Sequence, residues 1–129
     1  MDKMKDVALL VGRVLLALMF VMAGWSKIGG YAGTQGYMEA MGVPGFMLPL
    51  VILLELGGGL AIVLGLFTRS LSVLLAGFTL MAAFIFHYQP AEQMQMLMFM
   101  KNVSVAGGFL ALAAAGAGAF SLDARLGKN

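Results

Sequence analysis

Glu55 stands in the middle of the apolar run 46–67, with Gly57, Gly58 and Gly59 just behind it. A carboxylate inside a run long enough to cross a bilayer costs roughly 2.5 kcal/mol or more on insertion scales, so it faces protein and finds a partner. Arg13, Lys27, His87, Lys101 and Asn102 interrupt apolar stretches in the same way. A carboxylate or imidazole can exchange a proton, and an ammonium can polarise a carbonyl. Together these groups suit an intramembrane pocket for a small ligand with carbonyl oxygens, such as a quinone, or for an anionic head group.

Depth and helical phase say which of them can meet. At about 1.5 Å of rise per residue, Glu55 falls near the bilayer midplane and Arg13 about 7 Å to one side of the centre of its span. Lys27, His87, Lys101 and Asn102 fall roughly 9–14 Å toward the other side. Arg13, Ala17, Phe20, Gly24 and Lys27 share one helical stripe, and Glu55, Gly58, Gly59 and Ile62 share another. Arg13 is expected to pair with Glu55, because a guanidinium can grip a carboxylate with two parallel hydrogen bonds. Such a pair serves either to fix helix register or as part of a ligand or proton site. Lys27 and Lys101 lie near helix ends and can snorkel to the head groups. Polar groups from three helices at one depth favour a shared pocket, to which Asn102 and Ser104 add donors and acceptors.

Met94, Met96, Met98 and Met100 alternate ahead of Lys101. Thioethers can hold Cu(I), but a period of two scatters the sulfurs around a helix, and methionine is a common apolar filler. No metal site is expected there. Trp25 reads as an interfacial anchor.

The frame that must position these residues is a membrane bundle. Of 129 residues, 61% are hydrophobic and 11% charged, more apolar surface than a soluble domain of this length can hide. The fold expected is all-α: one polytopic four-helix domain over 1–129, with spans near 7–28, 46–67, 71–88 and 96–120. The segment Tyr31 to Met41 fits either a short interfacial helix, with Tyr31, Tyr37, Met38 and Met41 toward the membrane, or a folded loop. Pro49 suits the first turn of its helix. Gly57, Ala61 and Gly65 on the second span, and Gly107, Gly108, Ala111, Ala115 and Gly118 on the fourth, suggest close helix packing. The first span is too long for a cleavable signal peptide and is expected to act as the targeting signal itself.

With four spans both termini share a side, which holds Lys3, Lys5, Arg69, Arg125 and Lys128 against Lys27 and Lys101 opposite; the excess puts both termini in the cytoplasm. The chain has no cysteine, which excludes a disulfide framework, a thiol redox centre, cysteine-ligated zinc and an iron–sulfur cluster. A net charge of +2 without a basic patch points away from nucleic acid and toward membrane lipid as the surrounding partner.

The order of several short motifs resembles the DoxX family: Arg13, then Ala23-Gly24-Trp25-Ser26-Lys27-Ile28, Glu55-Leu56-Gly57-Gly58-Gly59, Gly65-Leu66-Phe67-Thr68-Arg69, His87, Lys101-Asn102, and Gly118-Ala119-Phe120-Ser121-Leu122-Asp123. The loop from Tyr31 to Gly45 is similar to that of one branch of bacterial inner-membrane members. The resemblance implies a four-helix protein of the bacterial inner membrane. The family name comes from a subunit of a thiosulfate:quinone oxidoreductase, and other members are linked to oxidoreductase assemblies or to maturation of redox proteins. It therefore implies a redox-associated component with a quinone or another small ligand, alongside a membrane or redox protein partner. A non-catalytic assembly subunit and a small proton-coupled transporter are the other functions compatible with the residues.

Overall fold

A computed structural model describes residues 3–127. The chain forms α1 (Lys3–Gly29), α2 (Tyr31–Ala40), α3 (Gly45–Leu64), α4 (Thr68–His87), α5 (Gln93–Ala115) and α6 (Leu122–Arg125), with no strand among the described residues. α1, α3, α4 and α5 are long and apolar enough to cross a membrane. Helices suit this composition because each satisfies its own backbone polar groups where no water can.

The inner faces agree with the phase reading. Arg13, Ala17, Phe20 and Gly24 are buried on α1, and Glu55, Gly58, Gly59 and Ile62 on α3. The core gathers Ala17, Phe20, Ile62, Leu75, Ala76, Ala106, Phe109 and Leu112. Phe20 and Phe109 meet edge to face with centroids 5.5 Å apart, a favoured aromatic geometry. Outward faces carry exposed apolar residues such as Leu15, Met22, Leu53 and Phe84, as lipid contact requires. Trp25 is also exposed, as an anchor at the membrane edge should be.

α1 packs on α3, and α5 on α4, each along much of its length, whereas α3 and α4 meet mainly in the half nearest their connecting turn. α1 and α3 approach most closely at glycines. A Cβ on Gly24 would lie 2.8 Å from the Leu56 nitrogen, and one on Gly59 would lie 3.1 Å from the Val21 nitrogen. Between α1 and α3 the close-approach glycines are thus Gly24 and Gly59 rather than Gly57, while on α5 the expected Gly108 does lie close to α1, where a Cβ would stand 3.0 Å from Leu16 Cδ2. Gly65 instead ends α3 in the left-handed conformation at φ 74°.

Helix limits differ from expectation where glycines or side-chain caps intervene. α5 stops at Ala115, short of residue 120, because Gly116 and Gly118 take φ of 79° and 86° and turn the chain back over the bundle end. α4 begins at Thr68, earlier than expected, because Asp123 accepts hydrogen bonds from the amides of Phe67 and Thr68, both at 2.8 Å. The same bonds hold Phe67 in a left-handed conformation at φ 52°, which a side chain otherwise disfavours. The segment after Gly30 is helical, but Met38 faces protein and is buried, and Tyr37 stacks on Phe86 at 5.5 Å. Lys128, used in the charge count, lies outside the described residues.

Two five-residue π-helical segments interrupt the spans, Leu53–Gly57 in α3 and Ala83–His87 in α4. The first is centred on Glu55, and the second ends at His87. Such widened turns re-aim side chains and recur at functional sites.

Candidate functional site

The polar residues separate into two clusters at opposite ends of the bundle. At the end carrying the described chain termini, Arg13 is 2% exposed and donates to the carbonyls of Ile62 (2.9 Å), Ala117 (3.0 Å), Val63 (3.3 Å) and Phe120 (2.6 Å). Ile62 and Val63 belong to the last turn of α3, where regular helical bonding runs out, Ile62 O taking only the Gly65 amide from the backbone, at 3.0 Å, and where the helix dipole favours a cation. Arg69 does the same for α5, donating to Ala113 O (3.2 Å) and Ala114 O (2.8 Å). Asp123 serves the opposite polarity at the start of α4, and Asp6 accepts from the Ala119 amide at 3.3 Å. This cluster ties the helix ends together.

Arg13 and Glu55 therefore do not pair; Glu55 meets Lys27 instead, with Nζ 2.7 Å from Oε1. The reason is antiparallel register. Gly24 sits against Leu56 and Val21 against Gly59, so advancing along α1 means retreating along α3. Continued toward the far end, that register brings Lys27 to the turn holding Glu55; continued the other way, it brings Arg13 to Gly65. Helical side chains also lean toward their N-terminus, which carries the lysine stem back to the depth of Glu55. Glu55 is 6% exposed, so the pair is held largely out of contact with the surroundings.

Lys27 and Glu55 border a cavity of about 640 Å³, within the range of small-molecule sites. His87, Lys101 and Asn102 line the same space. Five of the six residues singled out from the sequence thus converge on one cavity, and Arg13 lies apart from it. His87 holds Gln95 through Nδ1 and Oε1 at 2.8 Å, which links the end of α4 to the start of α5. Most of the remaining wall is apolar, with Met19, Phe20, Leu54, Phe78 and Phe86 prominent. Thr34, Tyr37 and Met38 of α2 contribute to it, so α2 borders the chamber with one face.

Thr79 escaped the sequence reading. It lines the cavity, is 2% exposed, and its hydroxyl has no hydrogen-bond partner. The available signal was its place with Ser72, Leu75, Ala76 and Ala83 on the buried face of α4. A buried hydroxyl left unsatisfied is costly, and the oxygen of Thr79 is enclosed by protein although the residue borders the cavity. The site thus combines an ion pair, a second lysine, an amide and an imidazole on the edge of an apolar chamber. That set can donate to a carbonyl oxygen, hold an apolar ring and carry a proton.

The Met94–Met100 run lies on α5, with Met94 and Met100 exposed and Met96 and Met98 half-buried. Among the described residues no three His, Cys, Asp or Glu side chains cluster as metal ligands.

The sequence pattern of the DoxX family matches residues 8–88. The chain is 61% identical over 129 residues to "Inner membrane protein YqjF" of Escherichia coli (strain K12), covering 100% of this chain and 99% of that protein. It is 42% identical over 128 residues to "Inner membrane protein YphA" of the same organism, covering 94% and 91%. It is 36% identical over 85 residues to "Putative oxidoreductase CatD" of Bacillus subtilis (strain 168), covering 66% and 63%. No solved structure matches significantly.

Proposed function

The chain belongs to the DoxX family, and from that premise we propose that it is a redox-associated component of the bacterial inner membrane that binds a quinone head in the chamber beside Lys27 and Glu55. The observation that carries this reading is the buried Lys27–Glu55 ion pair on the rim of an apolar cavity that His87, Lys101 and Asn102 also line. A flat ring with carbonyl oxygens fits those donors. Phe20, Phe78 and Phe86 supply apolar walls for such a ring. The relative named an oxidoreductase supports the redox assignment.

When bound, a quinone supplies a two-electron, two-proton acceptor. The chain's own residues bind and orient it: Lys27 or Lys101 donates toward a carbonyl oxygen, and Asn102 offers an amide. Glu55 and His87 hold and exchange protons. With no cysteine in the sequence, thiol-derived electrons have to come from a protein partner. In this reading the bundle end with Lys3, Lys5, Arg69 and Arg125 faces the cytoplasm, and α2 lies toward the periplasm.

The test is quinone content after extraction in native lipid, followed by titration with a soluble benzoquinone head. Wild type is expected to retain quinone, and Lys27→Met and Glu55→Gln to lose it while remaining folded. A wild-type protein that neither co-purifies with quinone nor binds the head on titration would overturn the proposal.

A further inference from the structure

α3 and α4 pack together near their connecting turn and part toward the chamber. A second apolar groove of about 570 Å³ runs along the lipid-facing side of α3, bordered by its Leu50, Leu53, Leu54, Gly57 and Gly58 and, from the first turn of α4, by Leu71. Leu50 and Leu54 also line the chamber, so the two spaces adjoin. Leu50 and Leu53 are 61% and 68% exposed on the face that lipid covers, so the groove lies open to the membrane.

Of the two glycines on its border, Gly57 lacks the usual reasons for glycine. Gly57 and Gly58 are helical, with φ of −67° and −64°, so neither needs a left-handed conformation. A Cβ on Gly57 would meet nothing nearer than Leu53 Cδ1 at 3.5 Å; Gly58 is buried against Leu75 of α4, whose Cδ2 would lie 3.8 Å from its Cβ, so it is Gly57 that borders open space. Glycine inside a helix is unfavourable, and one that serves neither backbone nor packing leaves room for something else.

Resting on the quinone-head reading above, we infer that this groove is a tail channel. The ligand is an amphiphile whose isoprenoid chain leaves the chamber along this side of α3, and it enters sideways from the bilayer. An apolar tail gains little by moving from lipid into an apolar groove, because lipid is equally apolar. The channel therefore contributes passage and exclusion: it admits a tailed head that a sealed chamber would reject. The Lys27–Glu55 pair fixes where the head stops.

The test uses the full chain in phosphatidylcholine nanodiscs with two probes, a decyl-tailed benzoquinone and the same head bearing only a methyl group, each referred to its concentration in the bilayer. Gly57→Trp fills the channel without touching the chamber. Steric exclusion of this kind should weaken the tailed probe by about tenfold or more and leave the tail-less probe unchanged. Retained tail-less binding also shows that the variant is folded; Leu53→Trp, which fills the channel from the lipid face, should behave alike. A diazirine at the tail end should label the segment around Leu53 and Leu71. Undiminished tailed binding in both variants, or labelling of that segment only by a diazirine-tailed phosphatidylcholine, would overturn the channel while leaving the head site intact. Equal tail-less binding by wild type and Lys27→Met would overturn the head site instead.

Discussion

Replacing Gly24 by alanine should loosen the crossing of α1 and α3, whereas the same change at Gly57 should not. A Cβ at residue 24 would stand 2.8 Å from both the nitrogen and the Cβ of Leu56 and 3.1 Å from its Cα. Ordinary carbon contacts lie at about 3.5–4.0 Å, so the helices must part by roughly 0.7 Å or more. The obstruction includes backbone, which no rotamer change can relieve. Overpacking of this kind costs about 1–3 kcal/mol. At Gly57 the nearest atom is Leu53 Cδ1 at 3.5 Å, an ordinary contact at the end of a flexible side chain. Both glycines are helical, so the propensity gained by alanine, about 1 kcal/mol, is common to both and cancels in the comparison. Gly24→Ala should therefore be less stable than Gly57→Ala by about 1–3 kcal/mol in unfolding by sodium dodecyl sulfate, followed by circular dichroism in mixed micelles. Lys27 lies one turn beyond Gly24, so the same variant should weaken quinone-head binding. Equal stability of the two variants would refute the assignment of the α1–α3 contact.

Lys27→Met leaves the Glu55 carboxylate buried without its cation and should destabilise by about 3 kcal/mol, whereas Lys27→Met combined with Glu55→Leu should recover most of that loss. The measurement is a double-mutant cycle in the same unfolding assay, and additive losses would show that the pair is not coupled. Arg13→Lys should cost about 3 kcal/mol or more, because a single ammonium cannot span the carbonyls of Ile62 and Val63 on one side and of Ala117 and Phe120 on the other. Wild-type stability in that variant would show that charge alone, without the planar fork, holds the bundle end.

The membrane class and most of the site were legible because polar side chains in apolar runs are scarce and costly. Lys27, Glu55, His87, Lys101 and Asn102 stand out on that ground and do share a chamber. Arg13 stood out equally, and its burial was read correctly while its partner was not. Helical phase places Arg13 and Lys27 on one stripe but gives no register between α1 and α3, and depth counted on Cα positions ignores the reach of a lysine stem. Nor did the pattern separate glycines by role. Gly24 and Gly59 permit contact, Gly65 and Gly116 take positive φ, and Gly57 borders a groove, yet all look alike in a helix-rich apolar chain. Thr79 was invisible because a threonine in a membrane helix ordinarily satisfies itself against its own backbone.

The two ends of the bundle divide the work between them. Where Arg13, Arg69 and Asp123 gather, helix termini that would strand polar groups are cross-tied by side chains from distant segments, and α3 and α4 are held together. That fixed end allows the other to differ: α3 and α4 diverge, both carry a π-helical segment, and the Lys27–Glu55 pair, His87, Lys101 and Asn102 border a common cavity. A bundle tightened at both ends would have no route from lipid to Glu55. One loose at both ends would not hold Lys27 and Glu55 at 2.7 Å. On this argument Arg13 acts on ligand binding only through the geometry of α1 against α3. Its loss should lower binding in proportion to the fraction unfolded, whereas loss of Lys27 should abolish binding in protein that is still folded.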